Sequence, residues 1–527
     1  VAFPLTTTLL FPAASDYLYK FSIRAIMKRR DFIKLGAAGL ISTAGLQNVS
    51  ANFSGDPAQF SETIIIGTGY GAAVAALRLA QNGFKSVMIE MGKDWRNEKE
   101  PFSKLIVPKK QSTWLKKRTV APFGNFFGIE KYTGVLDRVD FENIKIYAGR
   151  AVGGGSIVNG GMAVLPKRDY FETIFPNLDS QKFYGHYFPL AQKTLKVNEI
   201  DPDFFNETPY YRFTRTGIEQ AHKADYKTVF VPNVYDFEYM KREAKGEVKK
   251  SALGGEVIYG NNYGKNSLDK TYLKEAVETG LVSILPLHKV EEISRREPFY
   301  ELKISRLNEA GETVESKILS CKNLFVCSGS LGTSQLLVRA KATKTLSNLN
   351  EKIGQNWGNN GNTMCGRNFI KGGTGKQQST IPVAGIDNWD DPENPFFAEI
   401  SPLPMNLETW TTLYLVITKL KQKGHFYYDA AKNSVDLNWT KEDSKYSVEM
   451  VEKFLKKMDK INGGTRARLL FDRGIGEKIC YHPLGGCILG EATDEYGAIE
   501  GYPNLYAIDG SLIPGTIGVN PFLTITA

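Results

Sequence analysis

The sequence predicts an α/β fold in which a parallel, nucleotide-type sheet assembled from discontinuous segments joins an α+β domain with an antiparallel sheet. Three observations predict it. A strand, a glycine turn, a helix and a second strand ending in an acid occupy residues 63–90; apolar strands recur at 324–327 and 505–508; and alternating strand patterns return between residues 413 and 439.

The first unit opens on Thr63-Ile64-Ile65-Ile66, a continuous apolar run as expected of a strand buried on both faces, followed at once by Gly67-Thr68-Gly69-Tyr70-Gly71-Ala72. The spacing predicts a helix from Gly71 to Asn82. Its small residues, Ala72, Ala73, Ala75, Ala76 and Ala80, let it lie close to the sheet, and Gly83 supplies a C-terminal cap. Residues 86–89 form a second strand ending in Glu90, 23 positions after Gly67. Gly67 permits the tight turn, Gly69 lets backbone approach a pyrophosphate at the positive helix end, and Glu90 can bind a ribose 2′-hydroxyl. In this order the pieces make a Rossmann-like dinucleotide site, with flavin and nicotinamide both open at this point.

Residues 149–161 hold six glycines in thirteen positions, too many for a stable helix or strand, so bare backbone is brought near something there. Residues 281–293, 299–307 and 315–319 alternate as short strands, and 324–327 is a continuous apolar strand that Ser328-Gly329-Ser330 turns into a helix. Residues 505–508 lead as a strand to Asp509-Gly510, an acid where a cofactor could sit. In the second domain, residues 413–417, 425–429 and 434–439 read as strands of an antiparallel sheet.

With 527 residues, 42% of them hydrophobic, the chain can bury a large core. The net charge is +9, but the first 51 residues, with six Lys/Arg and two Asp/Glu, supply four of those charges. The remainder is too mild, and too free of basic clusters interleaved with aromatics, for nucleic-acid binding. Five cysteines (Cys321, Cys327, Cys365, Cys480 and Cys487) are no disulfide framework, although one bridge stays open, and no CxxC pair or other pattern calls for a metal. Met27-Lys28-Arg29-Arg30-Asp31-Phe32 followed by a short apolar run and Val49-Ser50-Ala51 reads as a twin-arginine signal over 27–51, with residues 1–26 as an upstream extension. Export to the periplasm or beyond is the expectation.

Together GTGYGAAVAALRL from Gly67, GRAVGGGSIVNGGMAV from Gly149, VFVPNVYDFEYMKREAKGEV from Val229, EVIYGNNYGKNSLDKTYL from Glu256, CYHPLGGC at Cys480 and NLYAIDGSLIPGTIGVNPF from Asn504 resemble the glucose-methanol-choline flavoenzymes. Within that family they are most similar to the bacterial cholesterol oxidases that hold FAD non-covalently. The resemblance runs from Glu62 to Ala527. It implies an FAD-binding domain at 52–94, 266–356 and 497–527, and a substrate-binding domain at 95–265 and 357–496. It also places Gly67, Gly69, Tyr70, Gly71, Glu90, Gly153, Asn159, Gly160, Met162, Val290, Tyr481, Asp509, Gly510 and Phe522 against FAD.

Oxidising a secondary alcohol needs groups that orient the hydroxyl and help its proton leave. Of five histidines, His482 alone sits in a motif, Tyr-His-Pro-Leu-Gly-Gly, whose irregular turn can present an imidazole to a cavity. The resemblance gives His482 and Asn520 the substrate hydroxyl. Phe396-Phe397-Ala398-Glu399-Ile400 sets one carboxylate among apolar neighbours, where burial favours a proton-holding or proton-moving role. By resemblance Glu399 is the base that converts a 5-en-3-one to the conjugated 4-en-3-one, and Phe397, Met162 and Asn520 line an oxygen route. The implied activity is oxidation of 3β-hydroxy-5-ene steroids such as cholesterol, with O2 reduced to H2O2, by a monomer drawing sterol from membranes or lipid particles through transient surface contact. A related dehydrogenase for another apolar alcohol, or one using a non-oxygen acceptor, is the alternative. Two departures bear on it: the segment 122–137, which contains the aromatic stretch 123–127, is shorter than the family's lid loop, and the chain ends at Ala527 where the family continues into a helix.

Overall fold

The computed structural model describes residues 59–527 apart from 97–103, 105–106, 121–127, 257–259, 261–262 and 472–473. The expected extension 1–26, the twin-arginine signal 27–51, the aromatic stretch 123–127 and the first part of the short lid segment lie outside the described residues.

The nucleotide-type sheet begins with β1 (Phe60–Ile66), α1 (Tyr70–Gln81) and β2 (Ser86–Ile89). The chain returns to it with β3 (Val282–Leu285), β4 (His288–Arg296), β5 (Phe299–Leu307) and β6 (Thr313–Val326), which leads into α2 (Gly329–Ala342). The strand order is β3-β2-β1-β6-β5-β4, and Leu505–Ala507 also pairs with β6. The β3-β2-β1-β6 part is parallel, as is Leu505–Ala507 on β6, whereas β6-β5-β4 is an antiparallel extension.

Two expected strands prove to be one. Residues 315–319 and 324–326 belong to β6, which pairs antiparallel with β5 up to Cys321 and parallel with β1 from Ser320 onward, and Cys327 lies just past its end. Lys322-Asn323 looks like a break in sequence, yet Asn323 Nδ2 donates to Glu62 O and Thr63 Oγ1 at 3.2 Å each, so its polarity is satisfied sideways within the sheet. The expected strand 281–293 is divided instead, because Leu287 follows Pro286 with φ +57.

Two glycines fix how distant segments meet. A Cβ on Gly71 would stand 1.9 Å from Ile508 O, so the start of α1 touches backbone at the end of the C-terminal strand. Gly67, at φ +100, lies similarly close to Cys327 O. The first turn therefore locks against the ends of β6 and of Leu505–Ala507, where a nucleotide-type sheet places its ligand.

The second sheet is antiparallel and contains β7 (Thr363–Asn368), β8 (Ala384–Asp387), β9 (Phe396–Ser401) and β10 (Thr412–Thr418), in the order Thr465–Arg466, β7, β10, β9, β8, Thr228–Phe230. Every residue of β9 and β10 is buried, which explains the apolar run of β10 and the apolar neighbours of Glu399 in β9. Helix α3 (Lys441–Asn462) starts at a Thr440/Asp443 capping box and packs Val451, Phe454, Leu455 and Met458 beside Phe396, Tyr414 and Val416. The strands His425–Asp429 and Ser434–Asn438 do not join this sheet as expected. They form a separate hairpin, because Gly424 exchanges two backbone hydrogen bonds with Trp357, and Phe426 and Leu437 pack with Leu337 and Val338 of α2. All five cysteines are free and buried, so the bridge left open by the sequence is absent.

Candidate active site

A cavity of about 860 Å³ runs from the ends of the parallel strands to the face of the second sheet. At one end it is lined by Gly67, Gly69, Tyr70 and Gly71. Gly69 has no atom within 4 Å of where a Cβ would stand, and α1 begins with no side-chain cap and no acidic residue in its first turn. Unpaired N–H groups and the positive end of the helix dipole thus face open space, the setting of a phosphate site.

Thr68 ties this turn to two other segments. Its Oγ1 donates to Glu90 Oε2 at 2.6 Å and accepts the Gly153 N–H at 3.0 Å, while Gly92 N donates to Glu90 Oε1 at 2.8 Å. Burial pushes the Glu90 carboxyl above its usual range, and these donors pull the other way. Glu90 and Val290 line the cavity; Gly153 lies behind it, at φ +102, turning the glycine-rich loop. The next residues of that loop, Gly154 and Gly155, do face the cavity.

Further along, Asn159 Nδ2 donates to the Tyr70 hydroxyl at 2.7 Å, and the Tyr70 ring stacks on Phe522 with centroids 5.1 Å apart. Asn159 Oδ1 is buried without a partner. Asn159, Gly160, Met162, Tyr481, Gly510 and Phe522 all face the same space. Asp509 does too, but its carboxylate is also structural: it accepts Gly329 N–H and Thr333 Oγ1–H at 2.9 and 2.5 Å, holding the start of α2, and Ser511 N–H at 2.8 Å.

His482, Glu399 and Asn520 converge on the far end. Glu399, central in β9, is 8% exposed and accepts Ser401 Oγ–H at 3.0 Å and Asn520 Nδ2–H at 3.3 Å. Burial raises its carboxyl above the ordinary range, and the two donors only partly offset this. Asn520 Oδ1 is buried and unpartnered. His482 is pulled down to about 3 by burial, so its ring is neutral.

The ring's tautomer follows from a residue that the sequence pattern did not single out. Asn360 Oδ1 accepts Ile517 N–H at 2.8 Å and Gly518 N–H at 3.3 Å, so its Nδ2 must be the atom that donates to Val519 O at 2.8 Å and faces His482 Nδ1 at 3.5 Å. Nδ1 is then the bare nitrogen, and the ring proton sits on Nε2. Asn362 likewise accepts the Tyr481 N–H at 2.9 Å. The signal was present as Asn359-Asn360-Gly361-Asn362, three amides crowded into a loop, all of them buried. Phe397, expected beside the oxygen route, does not line the cavity; it packs behind it with Met162, Val231 and Ile417.

Comparison with known proteins finds matching family models from residue 62 to residue 527. The model described as GMC oxidoreductase matches residues 62–360, a second of the same description matches 422–527, and GMC oxidoreductase, C-terminal, matches 360–472. The chain is similar to a cholesterol oxidase of Acinetobacter baumannii, 23% identical over 88% of this chain and 92% of that protein. It is also similar to a cholesterol oxidase of Mycobacterium tuberculosis, 23% identical over 88% of this chain and 89% of that protein. Among solved structures, pyridoxine 4-oxidase from Mesorbium loti shares the fold, with a TM-score of 0.60 at 12% identity, covering 88% of this chain and 97% of that one.

Proposed function

The chain belongs to the GMC oxidoreductase family, a family of flavoproteins, and from that premise we propose that it is a sterol oxidase that holds FAD non-covalently. It would convert 3β-hydroxy-5-ene steroids such as cholesterol to 4-en-3-ones, with O2 reduced to H2O2. The residues fit such a cofactor. Gly69 and Gly155 leave room beside them, the α1 terminus is uncapped, Glu90 suits a ribose, and buried Asn159 and Asn520 oxygens lack partners. Bound there, the flavin supplies a two-electron acceptor for the carbinol hydrogen and passes the electrons on to oxygen.

The protein's own groups do the rest. His482, neutral and protonated on Nε2, donates a hydrogen bond to the alcohol oxygen, and the free Oδ1 of Asn520 can accept the hydroxyl proton's hydrogen bond. The hydroxyl proton passes to water as the carbinol hydrogen leaves, so this step requires no carboxylate. The observation that carries the sterol reading is that a carboxylate is nonetheless present, buried and hydrogen-bonded to Asn520. Moving a double bond from the 5,6 to the 4,5 position removes a proton from C4 and returns one to C6. Glu399, with its proton affinity raised by burial, is suited to hold that proton between the two steps. The likeness to two cholesterol oxidases supports the same assignment.

The twin-arginine pattern at 27–51 supports export to the periplasm or outside the cell. Exposed Phe369, Leu407, Trp410 and Leu469, on loops that continue into Leu403, Met364 and Leu413 of the cavity wall, support transient contact of a monomer with a membrane surface. The test is aerobic turnover of a sterol panel, with peroxide and steroid products measured together. Cholesterol should yield 4-en-3-one and peroxide, and Glu399→Gln should release 5-en-3-one while still consuming oxygen. Oxidation of other apolar alcohols but no sterol, or reduction of a dye without peroxide, would defeat the sterol oxidase reading and leave a flavin alcohol dehydrogenase.

A further inference from the structure

Glu399 and Ser401 stand two positions apart at the end of β9, so both side chains leave the strand on the same face, and both residues line the cavity. Pro402 follows and holds Ser401 in an extended conformation. The wall around them is apolar, with Met364, Leu403, Leu413 and Leu415 facing the same space. Among the described residues, the carboxylate has Ser401 and Asn520 as its partners and no cation, and the Ser401 hydroxyl has Glu399 alone.

The two partners differ in what they can do once the carboxylate takes up a proton. Ser401 Oγ–H donates to Oε1 at 3.0 Å and Asn520 Nδ2–H to Oε2 at 3.3 Å, so donors meet both oxygens, which suits the ionised form. A proton on Oε2 would face the amide hydrogens of Asn520, and relieving that requires the whole amide to turn over. A proton on Oε1 meets a hydroxyl, which is donor and acceptor both. One rotation about the Cβ–Oγ bond of Ser401 turns a lone pair to Oε1–H and its own hydrogen toward the cavity. Burial raises the Glu399 carboxyl above its ordinary range against these two donors, which brings such protonation within reach.

Resting on the sterol reading above, we propose that Ser401 is a positioning residue for the double-bond shift: it selects Oε1 as the oxygen that carries the proton, and it keeps Glu399 hydrogen-bonded with that proton and without it. In the first step the C4–H bond breaks, the proton passes to Oε1, and the electron pair spreads over the dienolate from the C3 oxygen to C6. The Ser401 hydroxyl reverses from donor to acceptor as this happens. In the second step the same proton forms the C6–H bond, the C4–C5 double bond and the C3 carbonyl remain, and the hydroxyl turns back. Nothing is oxidised or reduced, and Ser401 ends each step with its own proton. It acts on the steroid only through Glu399.

The experiment supplies the 5-en-3-one itself to purified holoenzyme and follows the conjugated 4-en-3-one by its ultraviolet absorbance across a range of pH, which bypasses the oxidation. Ser401→Ala should isomerise about tenfold more slowly than wild type. Because it loses a donor that favours the carboxylate, the acid limb of its pH profile should move to higher pH. Ser401→Thr, which keeps the hydroxyl, should restore both rate and profile. Wild-type rate and profile in Ser401→Ala overturn the proposal, as does a slowing that leaves the acid limb unmoved, or a threonine variant that stays at the alanine level. Wild-type protein that leaves the 5-en-3-one unchanged, or Glu399→Gln that isomerises it at the wild-type rate, would instead defeat the underlying reading before Ser401 is touched.

Discussion

Asn360 faces His482 with its amide nitrogen, 3.5 Å from Nδ1, because its oxygen is already taken by the N–H groups of Ile517 and Gly518. The same amide holds Val519 O, the carbonyl just before Asn520. One buried side chain therefore sets both the ring tautomer of His482 and the approach of Asn520. Asn360→Asp keeps the shape and tolerates the φ of +61, but turns an oxygen toward Nδ1 and gives up the hydrogen bond to Val519 O. The proton then moves to Nδ1 and leaves Nε2 bare. Turnover is expected to fall by about 100-fold with flavin content unchanged. The check is kcat against pH: the variant should also gain a histidine ionisation nearer neutrality, and a wild-type profile would refute the coupling.

Gly69 and Gly71 sit two residues apart in one turn and should fail differently. Gly69→Ala meets nothing within 4 Å, so the flavin-free protein should melt as wild type does while flavin affinity drops at least tenfold. Gly71→Ala forces a methyl within 1.9 Å of Ile508 O, and the backbone must shift. It should lose about 1–3 kcal/mol of stability before any ligand is added. Melting curves with and without added flavin separate the two effects.

The parts legible in sequence were those set by local chemistry. Continuous apolar runs betrayed β1, β2 and β10, and glycines betrayed the turns that approach a ligand or another backbone. Glu399 was legible because the apolar neighbours in Phe-Phe-Ala-Glu-Ile carry it into the interior, where an ionised carboxylate is costly unless it is paired or holds a proton. What stayed hidden depended on contacts across hundreds of residues. Lys322-Asn323 breaks the apolar pattern of β6, and only its pairing with β1 shows why the strand continues. Asn360 carries no catalytic chemistry of its own, so its role emerges only once residues 482 and 519 are brought to it. Resemblance alone places Phe397 on an oxygen route, and its own residue type says only that it packs, as it does with Met162, Val231 and Ile417.

Burial of His482 and Glu399 should tilt stability with pH in opposite directions. His482 falls from an ordinary 6.5 to about 3, so below pH 6.5 the unfolded chain binds a proton that the folded one refuses. Stability is therefore lost as pH falls through that window, by about 1.4 kcal/mol per pH unit from this group. Glu399 is raised from its ordinary 4.5, so its contribution is present at low pH and is lost as pH rises above that value. His482→Gln should gain on wild type progressively below pH 6.5. Glu399→Gln should gain progressively above pH 4.5, helped by Asn520, whose unpartnered oxygen can turn to accept the new amide. Unfolding midpoints in denaturant across the pH range check both, and an offset that is constant with pH would refute the linkage.

Arg367 predicts a loss of stability that leaves the chemistry alone. It is fully buried in β7, yet every arm is engaged: Nε donates to Asp459 Oδ1 at 2.6 Å, Nη1 to Gln220 Oε1 at 2.7 Å, and Nη2 to Met458 O at 3.2 Å and to Gly463 O. It thus binds Met458 O in the last turn of α3 and the carbonyl of Gly463 just beyond it, and it pins that end to the second sheet. Arg367→Met strands the Asp459 carboxylate and the Gln220 amide and should cost about 3–5 kcal/mol. Arg367→Lys keeps the charge but lacks the planar fork, so it should recover only part of that loss. Because Arg367 does not line the cavity, folded protein of either variant should keep the wild-type flavin spectrum and KM well below its melting temperature. A changed KM at low temperature would mean that the sheet transmits the disturbance to Glu399 through β10, the strand that pairs with both β7 and β9.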